Sequence, residues 1–200
     1  MIPHKHFKNP DDQQSGPNCG VTATAICAGV SFRKAWNTFK TLGTPYYAKK
    51  NWKGATMRFD QSRALDKLDI EYSKLPKMMD CHGKTLNHFC EYWAMEDGVY
   101  MVTTTSHVQT VMVKNDKAYV IDQRGAKPIG EYWGRRKRVK QVIEIKTPFK
   151  HAEQAQAKPK AAPKPEANPI IIQPHSGASL FPSLFPQQAS AEHGQQLSLF

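Results

Sequence analysis

Cys19, His107 and Asp122 are the residues of this 200-residue chain whose types and order suit one reaction. Cys19 stands in Gln13-Gln-Ser-Gly-Pro-Asn-Cys-Gly20, just ahead of a small, apolar run. His107 opens an alternating apolar run, and Asp122 closes the next one. A thiol becomes a strong nucleophile when it ionises, and a helix N-terminus and an imidazolium both stabilise the thiolate. The imidazole then protonates the leaving group, and a third polar residue fixes its ring. Gln13 precedes Cys19 by six residues. Its side-chain amide can donate to a developing oxyanion beside the backbone N–H of Cys19, and Gln14 takes that role if the loop register differs.

Each residue also has a plainer reading. Cysteine is among the most buried residue types, a histidine between strands can be a half-buried side chain, and Asp122 before Gln123-Arg-Gly125 can start a turn. Order and local context together favour a site. The constellation resembles the papain-like cysteine peptidases, in particular the small bacterial and phage relatives of the bacteriocin-leader-processing peptidases, which share a Gln-x5-Cys-Gly opening and a strand-borne His. The resemblance spans roughly residues 11 to 124. It implies Cys19 as nucleophile, His107 as general base and acid, Asp122 as orienting residue and Gln13 as oxyanion donor. Ser106 meets only loosely the small residue that relatives place before the His. A degenerate, non-catalytic domain of the same fold is the alternative, and acyl or amide transfer on the same thiol is a further one.

The elements that must position these groups follow from periodicity. Residues 19–28 read as a buried helix ended by Gly29. Ser31 caps a second helix over 32–41, with Trp36 and Phe39 inward. Residues 43–54 read as a loop. A third helix is expected over 54–68, with Met57, Ala64, Leu65 and Leu68 on its apolar face, then a short strand at 70–75 and a helix at 85–94. The period then changes to two. Strands are expected at 98–103, 107–113, 117–122 and 139–145, with a turn at Asn115-Asp116. Helices first and an antiparallel sheet after give an α+β fold, which is also the layout the resemblance implies. A hairpin between the second and third of these strands brings His107 and Asp122 together.

Cys81-His82 and His88-x-Cys90 supply two Cys and two His within ten residues, a conceivable zinc set. Leu86, Phe89, Cys90 and Trp93 share one face of an amphipathic helix, so core cysteine and surface histidine are the better reading, and neither a metal nor a cofactor is expected. Four cysteines with no signal-peptide pattern point to thiols rather than a disulfide framework, and to the cytoplasm. No apolar run is long enough to span a membrane.

Apolar residues thin out beyond Phe149. The expected organisation is a peptidase-type domain over 1–148, a disordered Ala/Pro/Lys/Gln-rich linker over 149–194 and a terminal peptide over 195–200. Ile170–Ile172 and the repeated Ser-Leu-Phe-Pro at 179–186 are short apolar islands of the kind that mark partner contacts. Gln196-Leu197-Ser198-Leu199-Phe200 resembles the pentapeptide by which bacterial polymerases and repair proteins bind the replication sliding clamp. That resemblance implies Leu199 and Phe200 in an apolar pocket, with Leu197 and Gln196 anchoring beside them. The net charge is +11, and Arg135, Arg136, Lys137, Arg138 and Lys140 form a basic cluster beside Trp133. Such a cluster suits sequence-independent contact with DNA phosphates, or is a solvated loop. Two function classes remain: a thiol hydrolase carried to the replisome by its tail, or a non-enzymatic clamp ligand on a papain-like scaffold. The combination resembles a phage or mobile-element product acting in the host cytoplasm.

Overall fold

The computed structural model describes residues 4–74, 81, 83–94 and 96–157. The linker beyond 157, its apolar islands and the terminal pentapeptide lie outside the described residues, as do Leu75 and His82. The fold is α+β. Helices α1 (Cys19–Ala28), α2 (Phe32–Lys40), α3 (Pro45–Ala48) and α4 (Arg58–Lys67) come first, followed by β1 (Tyr72–Ser73) and α5 (Leu86–Tyr92). Strands β2 (Gly98–Thr104), β3 (His107–Lys114), β4 (Lys117–Asp122), β5 (Gly125–Pro128) and β6 (Val139–Ile145) build the sheet, and α6 (Lys150–Ala157) closes the described chain. The sheet is antiparallel with order β1-β6-β2-β3-β4-β5.

Helix α1 can lie close to the sheet because its residues are small. Ala23, Ile26 and Cys27 pack against Met101, Val108, Met112 and Ile121, all buried. Gly29 ends the helix in the left-handed conformation, φ 67°, and its N–H returns to the Ile26 carbonyl. The opposite face of the sheet buries Val102, Val111 and Val120 under Leu86 and Phe89 of α5 and under Tyr132. Ser31 caps α2 by accepting from the Lys34 N–H, and Asp12 accepts from the Phe32 and Arg33 N–H groups at 2.7 and 2.9 Å.

Several boundaries differ from the sequence reading. The third long helix starts at Arg58, not at 54, because Gly54 has φ +94° and Met57 is extended. The Met57 N–H is taken by the Tyr47 hydroxyl, which itself donates to buried Asp60 at 2.7 Å. Met57 is therefore exposed, whereas Ala64, Leu65 and Leu68 are buried as expected. The loop over 43–54 contains α3, and the strand expected from residue 70 is paired only over Tyr72–Ser73. Strand β5 was hidden by Gly125 and Pro128, residues that signal turns but are tolerated on the sheet edge that β5 occupies.

The compact unit also continues past 148. Phe149 is 2% exposed and donates its N–H to the Cys27 carbonyl at 2.8 Å. On α6, His151 bonds the Leu68 carbonyl at 2.8 Å. A low apolar content made 149–157 look like linker; one aromatic residue and a main-chain bond are enough to dock it.

Candidate active site

Cys19 is the first residue of α1, where main-chain N–H groups have no intrahelical acceptor. The preceding Asn18 does not cap them. It is buried, its amide donates to the Gln14 carbonyl at 2.8 Å, and its oxygen accepts from Gln123 and, at 3.5 Å, from Thr22. The helix N-terminus is thus left open to the thiol. His107 and the main-chain N–H groups of Val108 and Gly20 surround the Cys19 sulfur and favour its ionised form. Gly20 permits a close approach: a Cβ there would meet Thr56 Oγ1 at 1.9 Å.

His107 stands at the start of β3, and the β3–β4 hairpin sets its ring against Asp122, with Nε2 at 3.0 Å from Oδ2. Because Nε2 faces Asp122, Nδ1 is the nitrogen left for Cys19. Asp122 is held from four sides. Its Oδ2 also accepts from the Tyr132 hydroxyl at 2.8 Å and from Trp133 Nε1 at 2.9 Å, while Oδ1 accepts from the Arg124 N–H at 2.8 Å. Asp122 thus starts the turn through the Arg124 N–H and at the same time faces the His107 ring.

The charges follow from these contacts. Burial pushes the Cys19 thiol up, but the His107 bond, the Val108 N–H and the imidazolium charge outweigh it and leave Cys19 below the ordinary thiol value. Burial likewise works against a charged His107, yet its bonds to Asp122 and Cys19 raise it to about 9. Burial would raise Asp122, and its bonds from His107, Arg124, Trp133 and Tyr132 hold it well below the usual carboxylate range. Thiolate, imidazolium and carboxylate stabilise one another in this order.

Gln13 lies beside this relay. Its Nε2 donates to the Gln123 carbonyl at 3.1 Å, the residue directly after Asp122, and its second amide hydrogen is not committed there. Gln14 is exposed and supplies only its carbonyl, to Asn18, so Gln13 is the residue of the two that faces the β4–β5 turn. Gln123 is a positioning residue that sequence reading missed. Its side-chain amide donates to the Gly16 carbonyl at 2.8 Å and to Asn18, tying the turn after Asp122 to the loop before Cys19. Tyr132 and Trp133 were missed as well. Trp133 had a sequence signal, an aromatic beside a basic run, but that signal pointed to a surface patch rather than to Asp122.

The basic cluster is split by the fold. Lys137 Nζ lies 4.4 Å from the Trp133 ring centroid, and the Arg138 guanidinium donates to the Gly83 carbonyl at 2.6 Å. The carbonyls of Arg135 and Lys137 accept from Asn87 and Leu86 at the start of α5. Arg136 and Lys140 are exposed.

Among the described residues no group of three or more His, Cys, Asp or Glu is arranged to hold a metal. Cys81 is buried, Cys90 is half-buried with its thiol pushed up to about 12 by burial, and His88 packs on Tyr92. Among the same residues no helix is long and apolar enough to cross a membrane. No family model, curated protein or solved structure matches the chain significantly.

Proposed function

We propose that this protein is a thiol hydrolase of papain-like type, cleaving a peptide or amide bond with Cys19, His107 and Asp122. The observation that carries the reading is that Cys19, at an open helix N-terminus, lies beside a His107 whose Nε2 is bound to an Asp122 that accepts from four donors. A scaffold with no chemistry to perform has no need to hold a depressed thiol against a raised imidazole. The Cys19 thiolate attacks the carbonyl carbon, and the oxyanion is met by the Cys19 N–H and the free N–H of Gln13. The C–N bond breaks as His107 gives its proton to the departing nitrogen, leaving a thioester and a neutral imidazole. His107 then takes a proton from water, hydroxide adds to the acyl carbon, and the C–S bond breaks to restore thiolate and imidazolium. Capture of the thioester by an amine instead of water makes the same site a transferase.

We also propose that Gln196–Phe200 tethers the domain to a bacterial sliding clamp, on the strength of its match to the clamp-binding pentapeptide. A peptide this small gives a Kd on the order of micromolar. The competing reading, a clamp ligand on a non-catalytic scaffold, keeps the tail and discards the relay. A thiol-reactive probe applied to the full chain near neutral pH tests the first proposal. Cys19 is expected to label fastest, more slowly in His107→Ala and not at all in Cys19→Ala; equal labelling of all four cysteines counts against it. Pull-down with purified clamp tests the second: binding is expected to vanish without Leu199 and Phe200 and to survive Cys19→Ala.

A further inference from the structure

Trp133 is 45% exposed although its ring lies 5.4 Å from that of His107 and its Nε1–H is committed to Asp122. Two cations rest on this indole. The Arg124 guanidinium is 4.6 Å from the ring centroid and Lys137 Nζ is 4.4 Å from it. Among the described residues neither cation forms an ion pair with a carboxylate. Both are fixed from the main chain. The Arg124 N–H donates to Asp122, and the Lys137 carbonyl accepts from Leu86. Stacking on an indole further restrains a cation while leaving its charge to act outward.

The reaction geometry gives this group a side. The acyl half of a substrate becomes bonded to Cys19, whereas the amine half departs with the proton from His107. Trp133 sits beside the His107 ring, and its Nε1 shares Asp122 Oδ2 with His107 Nε2. The half that departs from His107 therefore leaves beside the indole and the two cations it carries.

We infer that Arg124, Trp133 and Lys137 form a subsite for an acidic residue on the leaving-group side of the cleaved amide, so that the substrate is an acidic polypeptide segment. This rests on the thiol-hydrolase reading above. Nucleic acid is the other polyanion a basic cluster can take. Against it, the cluster is not a continuous strip: Lys137 is turned onto Trp133 and Arg138 onto the Gly83 carbonyl. The unpaired cations lie within one residue's reach of the reacting atoms.

The test uses the full chain and a randomised peptide library, with cleavage products sequenced. Acidic residues are expected to be enriched at the first or second position after the cut, by about fivefold over neutral ones. Lys137→Glu and Arg124→Glu are expected to abolish or invert the preference through KM rather than kcat. Lys117→Glu, the same charge change at the turn end of the β3–β4 hairpin, should leave it intact. The enrichment should also shrink as salt rises, because the subsite is open to solvent. Cleavage without acidic enrichment, or an enrichment that survives both reversals, overturns the subsite while leaving the hydrolase reading standing. A parallel titration of Cys19→Ala with acidic, neutral and basic peptides separates the two ideas in the other direction. Acid-selective binding lost in Lys137→Glu, with no cleavage by the parent chain, upholds the subsite and overturns the hydrolase. Charge-blind peptide binding, together with Lys137-dependent binding of a labelled oligonucleotide, overturns the subsite in favour of phosphate contact.

Discussion

Helix α1 carries a cysteine near each end, and the two are chemical opposites. Cys19, at the first residue, meets His107 and main-chain N–H groups, and its thiol is depressed. Cys27, about two turns on, faces the same strand β3 but meets the Thr110 hydroxyl at 3.6 Å, and burial pushes its thiol up to about 12. One helix and one strand thus give a depressed thiol at one end and a core thiol pushed up at the other. What differs is the supply of positive potential: open N–H groups and an imidazolium at the start, closed carbonyls and apolar neighbours at the finish.

The largest expected effect separates the two thiols by substitution. Cys19→Ala should reduce turnover by more than about a thousandfold while leaving thermal stability close to the parent. Cys27→Ala should do the reverse, costing about 1–2 kcal/mol of stability with activity retained. Calorimetry and a rate assay on both variants check this, and similar activity losses in the two would erase the contrast.

The pH dependence is next. The thiolate–imidazolium pair should form as Cys19 ionises below its ordinary value of 9.0 and disappear as His107 deprotonates near 9. Alkylation of Cys19 should therefore reach its plateau at a lower pH than for an unassisted thiol. In His107→Ala its inflection should move upward, towards that of an unassisted thiol. Stability carries its own signs. The raised His107 contributes stability that is full below 6.5 and lost as pH rises through about 9. The depressed Asp122 contributes stability that is present above 3.8 and lost as pH falls. Their sum is complete between pH 3.8 and 6.5, which thermal melts across pH can verify.

Asp122 variants sharpen what the carboxylate does. In Asp122→Asn the side-chain oxygen can keep His107, Tyr132 and Trp133, but the amide nitrogen cannot accept from the Arg124 N–H. The fold and part of the activity should survive, with the alkaline limb moved down as the charge facing His107 is lost. Asp122→Ala leaves four donors without an acceptor and should cost about 3 kcal/mol. A smaller effect is expected at Gly54, whose φ is +94° and where a Cβ would lie 2.5 Å from Asn18 Cβ and 2.7 Å from Trp36. Gly54→Ala should lower stability by about 2 kcal/mol and slow Cys19 labelling through the displaced Asn18.

Much of this was legible in the sequence, for definite reasons. The period-two runs fixed β2, β3, β4 and β6, and a tight Asn115-Asp116 turn then dictated that His107 and Asp122 meet. Small residues after Asn18 marked α1. Illegible were the groups whose roles are tertiary. Tyr132 and Trp133 reach Asp122 only because the chain after β5 folds back over the hairpin. Gln123 is unremarkable by type, and its bonds to Gly16 and Asn18 span more than a hundred residues. Met57 looked like core because its spacing suited a helix that Gly54 interrupts.

The docking of Phe149 onto Cys27 sets an order of assembly. Helix α1 is among the first elements to be synthesised, yet its far end is sealed by an N–H and an aromatic ring supplied more than a hundred residues later. Such distant closures form slowly and only after the intervening chain exists. His107 and Asp122, too, reach the growing chain long after Cys19. A ribosome-bound fragment therefore holds the Cys19 thiol without His107 and Asp122, beside an α1 whose far end is still open.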